Sequence, residues 1–184
     1  MLELDLSTFP AITTHRLHLR ELTHADAPAL FALRADERVM RHIPRPPARA
    51  IEDALELIER ISRDRAANEG ITWAIAPRTG GDMIGTIGYY RLKPEHHRAE
   101  VGYLLAPAEW GKGFMSEALA AVVREGFQRF GFHSIEAITD PRNTASNRVV
   151  EREGFVREAL RREDHLWSIA FQDSAVYAIL ADQA

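Results

Sequence analysis

A short glycine turn, Trp110-Gly111-Lys112-Gly113, stands between an apolar run stopped at Pro107 and a long helical stripe. Met115, Leu119, Val122, Val123, Phe127 and Phe130 recur on one helix face, and Gly131 ends the pattern. Glycines let the backbone turn so that consecutive N–H groups point into one concavity. The helix behind adds its unbonded first-turn N–H groups and the positive end of its dipole. Together they suit a phosphate or pyrophosphate.

The rest of the chain frames this unit. Arg16-Leu17-His18-Leu19-Arg20 alternates with period two and predicts a first strand. Thr23 followed by Asp26 resembles a capping box opening a helix to about Arg34. A short helical piece is expected over residues 37–40, and Pro44, Pro46 and Pro47 then form a loop. Ile51, Ala54, Leu55, Ile58 and Ile61 mark a second amphipathic helix, with its C-terminal cap expected near Asn68-Glu69-Gly70. Residues 72–76 and 83–90 read as a hairpin, and 99–105 as a third apolar strand. Beyond the glycine turn and its helix, residues 134–138 form a strand. Asn143 or Thr144 caps a short helix that Gly154 closes. Residues 155–157, 166–171 and 175–180 read as three terminal strands. The expectation is one mixed α/β domain over residues 1–184.

Composition removes several classes of function. Lys+Arg total 23 against Asp+Glu 27, a net charge of −4, so nothing draws the chain to nucleic acid or anionic membrane. There are no cysteines, which excludes disulfides, thiolate metal sites and a cysteine nucleophile. Eight histidines without ligand spacing do not make a metal site. No apolar run approaches the ~20 residues of a membrane span, and the N-terminus lacks signal-peptide character, so a soluble cytoplasmic protein is expected.

The loop is tested against its rivals by spacing. A Walker loop needs a glycine where Ala106 stands, and Ser or Thr where Gly113 stands. A dinucleotide fingerprint would use Gly111, Gly113 and Ser116, with Glu136 as the distal acid. But residues 106–110 separate the loop from its strand, and the upstream elements look like a hairpin rather than a βαβ unit. A plain turn that starts a helix is the remaining alternative.

Four segments in order resemble the GNAT superfamily of N-acetyltransferases, and within it the ribosomal-protein N-terminal (RimJ/RimL-like) branch. They are Thr14-His15-Arg16-Leu17-His18-Leu19-Arg20, then Ile84-Gly85-Thr86-Ile87-Gly88. Arg98-Ala99-Glu100-Val101-Gly102-Tyr103 with Trp110-Gly111-Lys112-Gly113 follows. Asp140-Pro141-Arg142-Asn143-Thr144-Ala145-Ser146-Asn147 with Gly154-Phe155 comes last. The resemblance implies a single-domain GNAT fold, a mixed central sheet with flanking helices, and acetyl-CoA as cosubstrate. It implies that the backbone of Tyr103, Leu104 and Leu105 bonds the pantetheine arm. It also implies that the N–H groups of Gly111, Lys112, Gly113, Phe114, Met115 and Ser116 hold the pyrophosphate, and that Asn143 touches the pantetheine or a nearby water. The family often dimerises. Two departures stand out: Ala108 replaces a common Gln or Arg, and Val150 stands where many members carry a tyrosine that protonates the leaving thiolate. The branch resembles this chain in having Ser146 one turn earlier.

Acetyl transfer needs a neutral amine, a polarised thioester carbonyl and a stabilised thiolate, with no covalent enzyme intermediate. Glu100, in an otherwise apolar strand, is the first candidate base; its alternative is a salt-bridged or solvent-facing glutamate. Glu163, His165 or a water are the other candidates. Ser146 is the candidate thiolate acid, or a residue that bonds its own helix backbone. Lys112 offers a minor charge contribution. The expected acceptor is a protein N-terminal α-amine, the alternatives a small amine or a non-catalytic acyl-CoA sensor.

Overall fold

The computed structural model describes residues 2–182. Its strands are β1 (Ile12–Thr13), β2 (Leu17–Glu21), β3 (Ile71–Pro77), β4 (Gly85–Lys93), β5 (Arg98–Leu105), β6 (Ser134–Thr139), β7 (Val156–Trp167) and β8 (Ala170–Leu180). The helices are α1 (Ala27–Ala35), α2 (Glu37–Met40), α3 (Ile51–Ala66), α4 (Phe114–Gln128) and α5 (Thr144–Arg152). One sheet holds all eight strands in the order β1-β2-β3-β4-β5-β6-β8-β7. Every neighbouring pair is antiparallel except β5–β6, which α4 joins as a crossover. The expected mixed α/β fold with flanking helices is what the chain adopts.

The sheet is covered on both faces, and alternation sorts its residues between them. Leu17, Leu19, Trp73, Ile75, Ile87, Tyr89 and Val101 join the buried face of α4, where Met115, Leu119 and Val122 meet them. Trp73, Tyr89, Phe130 and Phe132 interlock there, the Tyr89 and Phe132 rings crossing edge to face at 5.1 Å. The polar ends are satisfied: Trp73 Nε1 donates to the Pro10 carbonyl at 2.7 Å, and Tyr89 Oη to Val122 at 2.8 Å. The opposite face packs α1 and α3 through Leu30, Leu33, Ala54 and Ile58 against Ala74 and Met83.

The capping box forms: Asp26 reaches back to accept the Thr23 N–H at 2.8 Å, and Arg20 grips both its oxygens at 2.7 and 2.8 Å. Within the expected Asn68-Glu69-Gly70 end of α3, Asn68 (φ 57°) is the left-handed residue that turns the chain, and its side chain accepts the Leu6 N–H. One expectation is corrected. The three terminal strands are two long ones, and residues 166–171 are the tip of a single hairpin. The charged run Arg161-Arg162-Glu163-Asp164 conceals the first of them, because β7 is an edge strand exposed along nearly all its length and shows no apolar alternation.

Candidate active site

The chemistry-bearing residues converge where the sheet opens. β5 and β6 pair only at Arg98↔Ser134, Ala99↔Ile135 and Glu100↔Glu136. Beyond that point β6 continues against β8, while β5 keeps β4 alone, with Tyr103 opposite Ile87 and Leu105 opposite Gly85. The other edge of residues 101–105 therefore offers N–H and C=O groups to something extended. The opening lies at the carboxyl ends of the parallel pair β5–β6, where ligands enter sheets of this kind.

The glycine turn sits beside this edge. Gly111 (φ 74°) and Gly113 (φ 78°) both adopt the left-handed backbone that other residues avoid. A Cβ on Gly111 would project into open space, so its backbone is accessible from the cleft. Glu117 N–H bonds Gly113, which leaves Phe114, Met115 and Ser116 ahead of the first helical bond. Met115 turns its side chain into the core, so this segment presents backbone rather than side chains. Arg16 clamps the turn from β2's side: Nη1 donates to the Lys112 carbonyl at 2.8 Å, and Nε binds Glu117 at 2.6 Å. Burial pushes the Glu117 carboxyl up, but the Thr14 and Arg16 bonds outweigh it and hold it below its usual range. A cleft of about 440 Å³ opens here, lined by the turn with Ser116 and Ala120, by Arg16 and Arg152, and by the carboxylates Glu117, which Arg16 neutralises, and Glu153. This cradle fits a pyrophosphate: backbone donors, a helix start and flanking cations. Lys112 itself pairs with Glu109 at 3.0 Å and is exposed.

At the strand end, Trp110 Nε1 donates to the Leu105 carbonyl at 2.8 Å, fixing the loop to the strand while the ring stays half exposed. Tyr103 reaches the first turn of α5, its hydroxyl 2.9 Å from Ser146 Oγ. Burial pushes the Tyr103 phenol up to about 12, so it stays protonated. Asn143 caps α5 by accepting the Ser146 N–H at 3.1 Å. Ser146 therefore spends its N–H on the cap and its hydroxyl on Tyr103. Val150 is buried in the core.

On the α1–α3 side, Glu100 Oε2 takes a hydrogen bond from Arg91 at 2.7 Å, the salt-bridged alternative of the sequence reading. Its register partner Glu136 is bound by Arg98 at 2.9 Å. One group escaped the sequence reading. His42, on the loop after α2, places Nδ1 2.9 Å from Asp140 Oδ2 at the end of β6. With Nδ1 donating, Nε2 carries the lone pair. Burial raises the Asp140 carboxyl, but the bonds from Arg142 and His42 outweigh it and leave it well below its usual range. His42 and Asp140 are 98 positions apart, and no local spacing relates them. Glu163 and His165 lie at the bulge of the β7–β8 hairpin, Glu163 exposed and His165 half-buried, opposite Asp173 and Gln172 and past the last β6–β8 pair, Thr139↔Ala175. The hairpin does touch the site's rim, through Gln172 on Arg142.

Among the described residues no group of three or more His, Cys, Asp or Glu could hold a metal, and no helix is long and apolar enough to cross a membrane.

A family model for the acetyltransferase (GNAT) domain matches residues 16–156. The uncharacterized N-acetyltransferase YoaA of Bacillus subtilis is 36% identical over 172 residues, 94% of this chain and 97% of that protein. The ribosomal-protein-serine acetyltransferase of Escherichia coli is 30% identical over 101 residues, 55% of this chain and 56% of that protein. The solved structure of RimL, a ribosomal L7/L12 alpha-N-protein acetyltransferase in complex with coenzyme A, superposes with a TM-score of 0.85 at 20% identity, covering 95% of this chain and all of that one. The chain belongs to the GNAT acetyltransferases: it is an acyltransferase enzyme with ribosomal-protein acetyltransferases among its relatives.

Proposed function

We propose that the protein moves the acetyl group of acetyl-CoA onto a protein N-terminal α-amine, by direct transfer. The observation that carries the donor half of this reading is the edge of residues 101–104 that β6 leaves free, running up to the glycine turn, and the α-amine acceptor is supported by the ribosomal-protein-serine acetyltransferase among the relatives. The backbone of Tyr103, Leu104 and Leu105 takes the pantetheine arm as an added strand, with Asn143 beside it. The N–H groups of residues 111–116 take the pyrophosphate. The acyl end then faces α1 and α3, and the amine arrives from that side.

In the reaction the neutral amine nitrogen attacks the thioester carbon, the C–S bond breaks, one amine proton passes to a base, and the thiolate takes a proton. Backbone N–H groups of the open strand polarise the carbonyl oxygen. Ser146 gives its proton to the thiolate and recovers one from Tyr103, 2.9 Å away. Two groups on the acceptor side can take the amine proton. Glu100 keeps Oε1 free of Arg91, and His42 keeps Nε2 free of Asp140. An α-amine, with a pKa near ~8, needs only this modest help.

The test is thiol release from acetyl-CoA over a panel of amines, including peptides that begin with serine, the residue in the name of the E. coli relative. Turnover of the peptides, with the acetyl group located on the α-amine, is expected. Turnover of small amines alone would move the acceptor assignment, and tight binding with no turnover would make the protein a sensor.

A further inference from the structure

A carboxylate stands in the cleft assigned above to the diphosphate. Glu117, on the first turn of α4, lines that cleft together with the glycine turn and Arg16. Burial opposes its charge, yet the bonds from Thr14 and Arg16 outweigh this and keep it ionised at neutral pH. An ionised carboxylate repels an incoming phosphate, so an anion site built this way works only where that charge is answered.

Arg16 answers it through contacts on every side. Oε1 of Glu117 accepts the Thr14 hydroxyl and the Arg16 main-chain N–H (2.8 Å), and Oε2 accepts Arg16 Nε at 2.6 Å. The same guanidinium donates through Nη1 to the Lys112 carbonyl at 2.8 Å and lies over the Phe114 ring, 4.5 Å from its centre. In a trans peptide the carbonyl and the next N–H point opposite ways. The grip on the Lys112 carbonyl therefore sets the direction of the Gly113 N–H, which has no main-chain acceptor among the described residues. Nη2 makes no hydrogen bond among the described residues and lies beside the turn, 3.4 Å from where a Cβ on Gly113 would stand. The cation within the turn, Lys112, is already paired with Glu109.

We propose that Arg16 is the positioning residue of the donor site: it masks the Glu117 carboxylate, sets the glycine turn and keeps Nη2 for the diphosphate of the donor. Guanidinium suits all three tasks, because its planar fork carries several donors in fixed directions. The proposal rests on the acetyl-CoA reading above. It adds one side chain, from β2, to a cradle otherwise made of main chain.

The experiment titrates CoA calorimetrically into the full chain as wild type, Arg16→Gln, Glu117→Gln and the double variant. Arg16→Gln is expected to bind CoA at least about tenfold more weakly, since it bares the Glu117 carboxylate and loses a charged donor. Glu117→Gln alone is expected to bind as tightly as the wild type or more tightly. Adding Glu117→Gln to Arg16→Gln is expected to improve binding by at least about threefold. A tie that only knits β2 to α4 predicts the opposite, because Glu117→Gln loosens the Thr14 and Arg16 bonds further. Unchanged affinity in Arg16→Gln, or no improvement in the double variant, overturns the proposal, while wild-type binding keeps the acetyl-CoA reading. The Glu117→Gln arm needs no Arg16 variant to fold, and weaker binding there also overturns the proposal. A wild type that binds no CoA removes the acetyl-CoA reading as well.

Discussion

The two faces of the sheet solve different problems. Under α4, large rings interlock and their polar atoms are spent inside the protein, and the glycine turn beyond them offers mostly backbone. Under α1 and α3, the core is smaller and aliphatic, and its margin carries the Arg91–Glu100 ion pair and His42 on Asp140. A ligand common to a whole family can be read by main chain, which tolerates sequence drift. A ligand that differs between members has to be read by side chains. On the function proposed above, the first face serves the shared donor, and the second is where this chain's own acceptor specificity is written.

The largest effect expected from this contrast is in the core. Trp73→Ala removes a fully buried ring and its bond to Pro10 and is expected to cost about 3–5 kcal/mol by denaturant unfolding. Leu30→Ala, equally buried under α1, is expected to cost about 2–3 kcal/mol. A reversed order would break the assignment of the rigid face to α4.

An acid limb comes next. Burial pushes the Asp26 carboxyl up, but the bonds from Arg20 and Thr23 outweigh it and place it below the ordinary carboxylate value. A depressed folded value means the unfolded chain binds the proton more readily. The stabilisation is complete above the ordinary value near ~4 and is lost as pH falls below it toward the folded value. Asp140 shifts in the same direction. Asp26→Asn is expected to lose about 2 kcal/mol at neutral pH and to show a shallower fall in stability on acidification. Urea midpoints across pH read this directly, and an unchanged slope contradicts it.

The fold was largely legible in the residues, and the gaps have physical causes. Strands buried on one face, such as β2, announce themselves through Leu17 and Leu19, and α4 through its apolar stripe. β7 did not, because no face of it is buried and exposed strands carry no periodicity. The glycine turn was legible for a related reason: its left-handed backbone at Gly111 and Gly113 needs glycine, and glycine is visible in sequence. The pairing of His42 with Asp140 was not, because it forms only when the segment between α2 and α3 meets the end of β6. The Tyr103 hydroxyl on Ser146 was hidden likewise, since Tyr103 drew attention only for its main chain.

Smaller effects sharpen the division of labour. Ser146→Ala and Tyr103→Phe are each expected to lower kcat by about tenfold while leaving CoA affinity unchanged. Stopped-flow turnover beside calorimetry separates the two, and a fall in affinity without a fall in kcat would make the pair structural. The smallest effect is Lys112→Ala. The side chain is exposed and already paired with Glu109, so CoA affinity is expected to change by no more than about threefold.

Calorimetric CoA binding to wild type and Gly113→Val tests the central claim that this turn holds the donor through its main chain. Valine at φ 78° strains the turn by about 1–2 kcal/mol and puts a branched side chain beside Arg16 at the cleft. The account predicts CoA affinity at least about tenfold weaker, with a melting temperature lowered by only about 2–8 °C, so that the protein stays folded in the assay. Unchanged CoA affinity would contradict it.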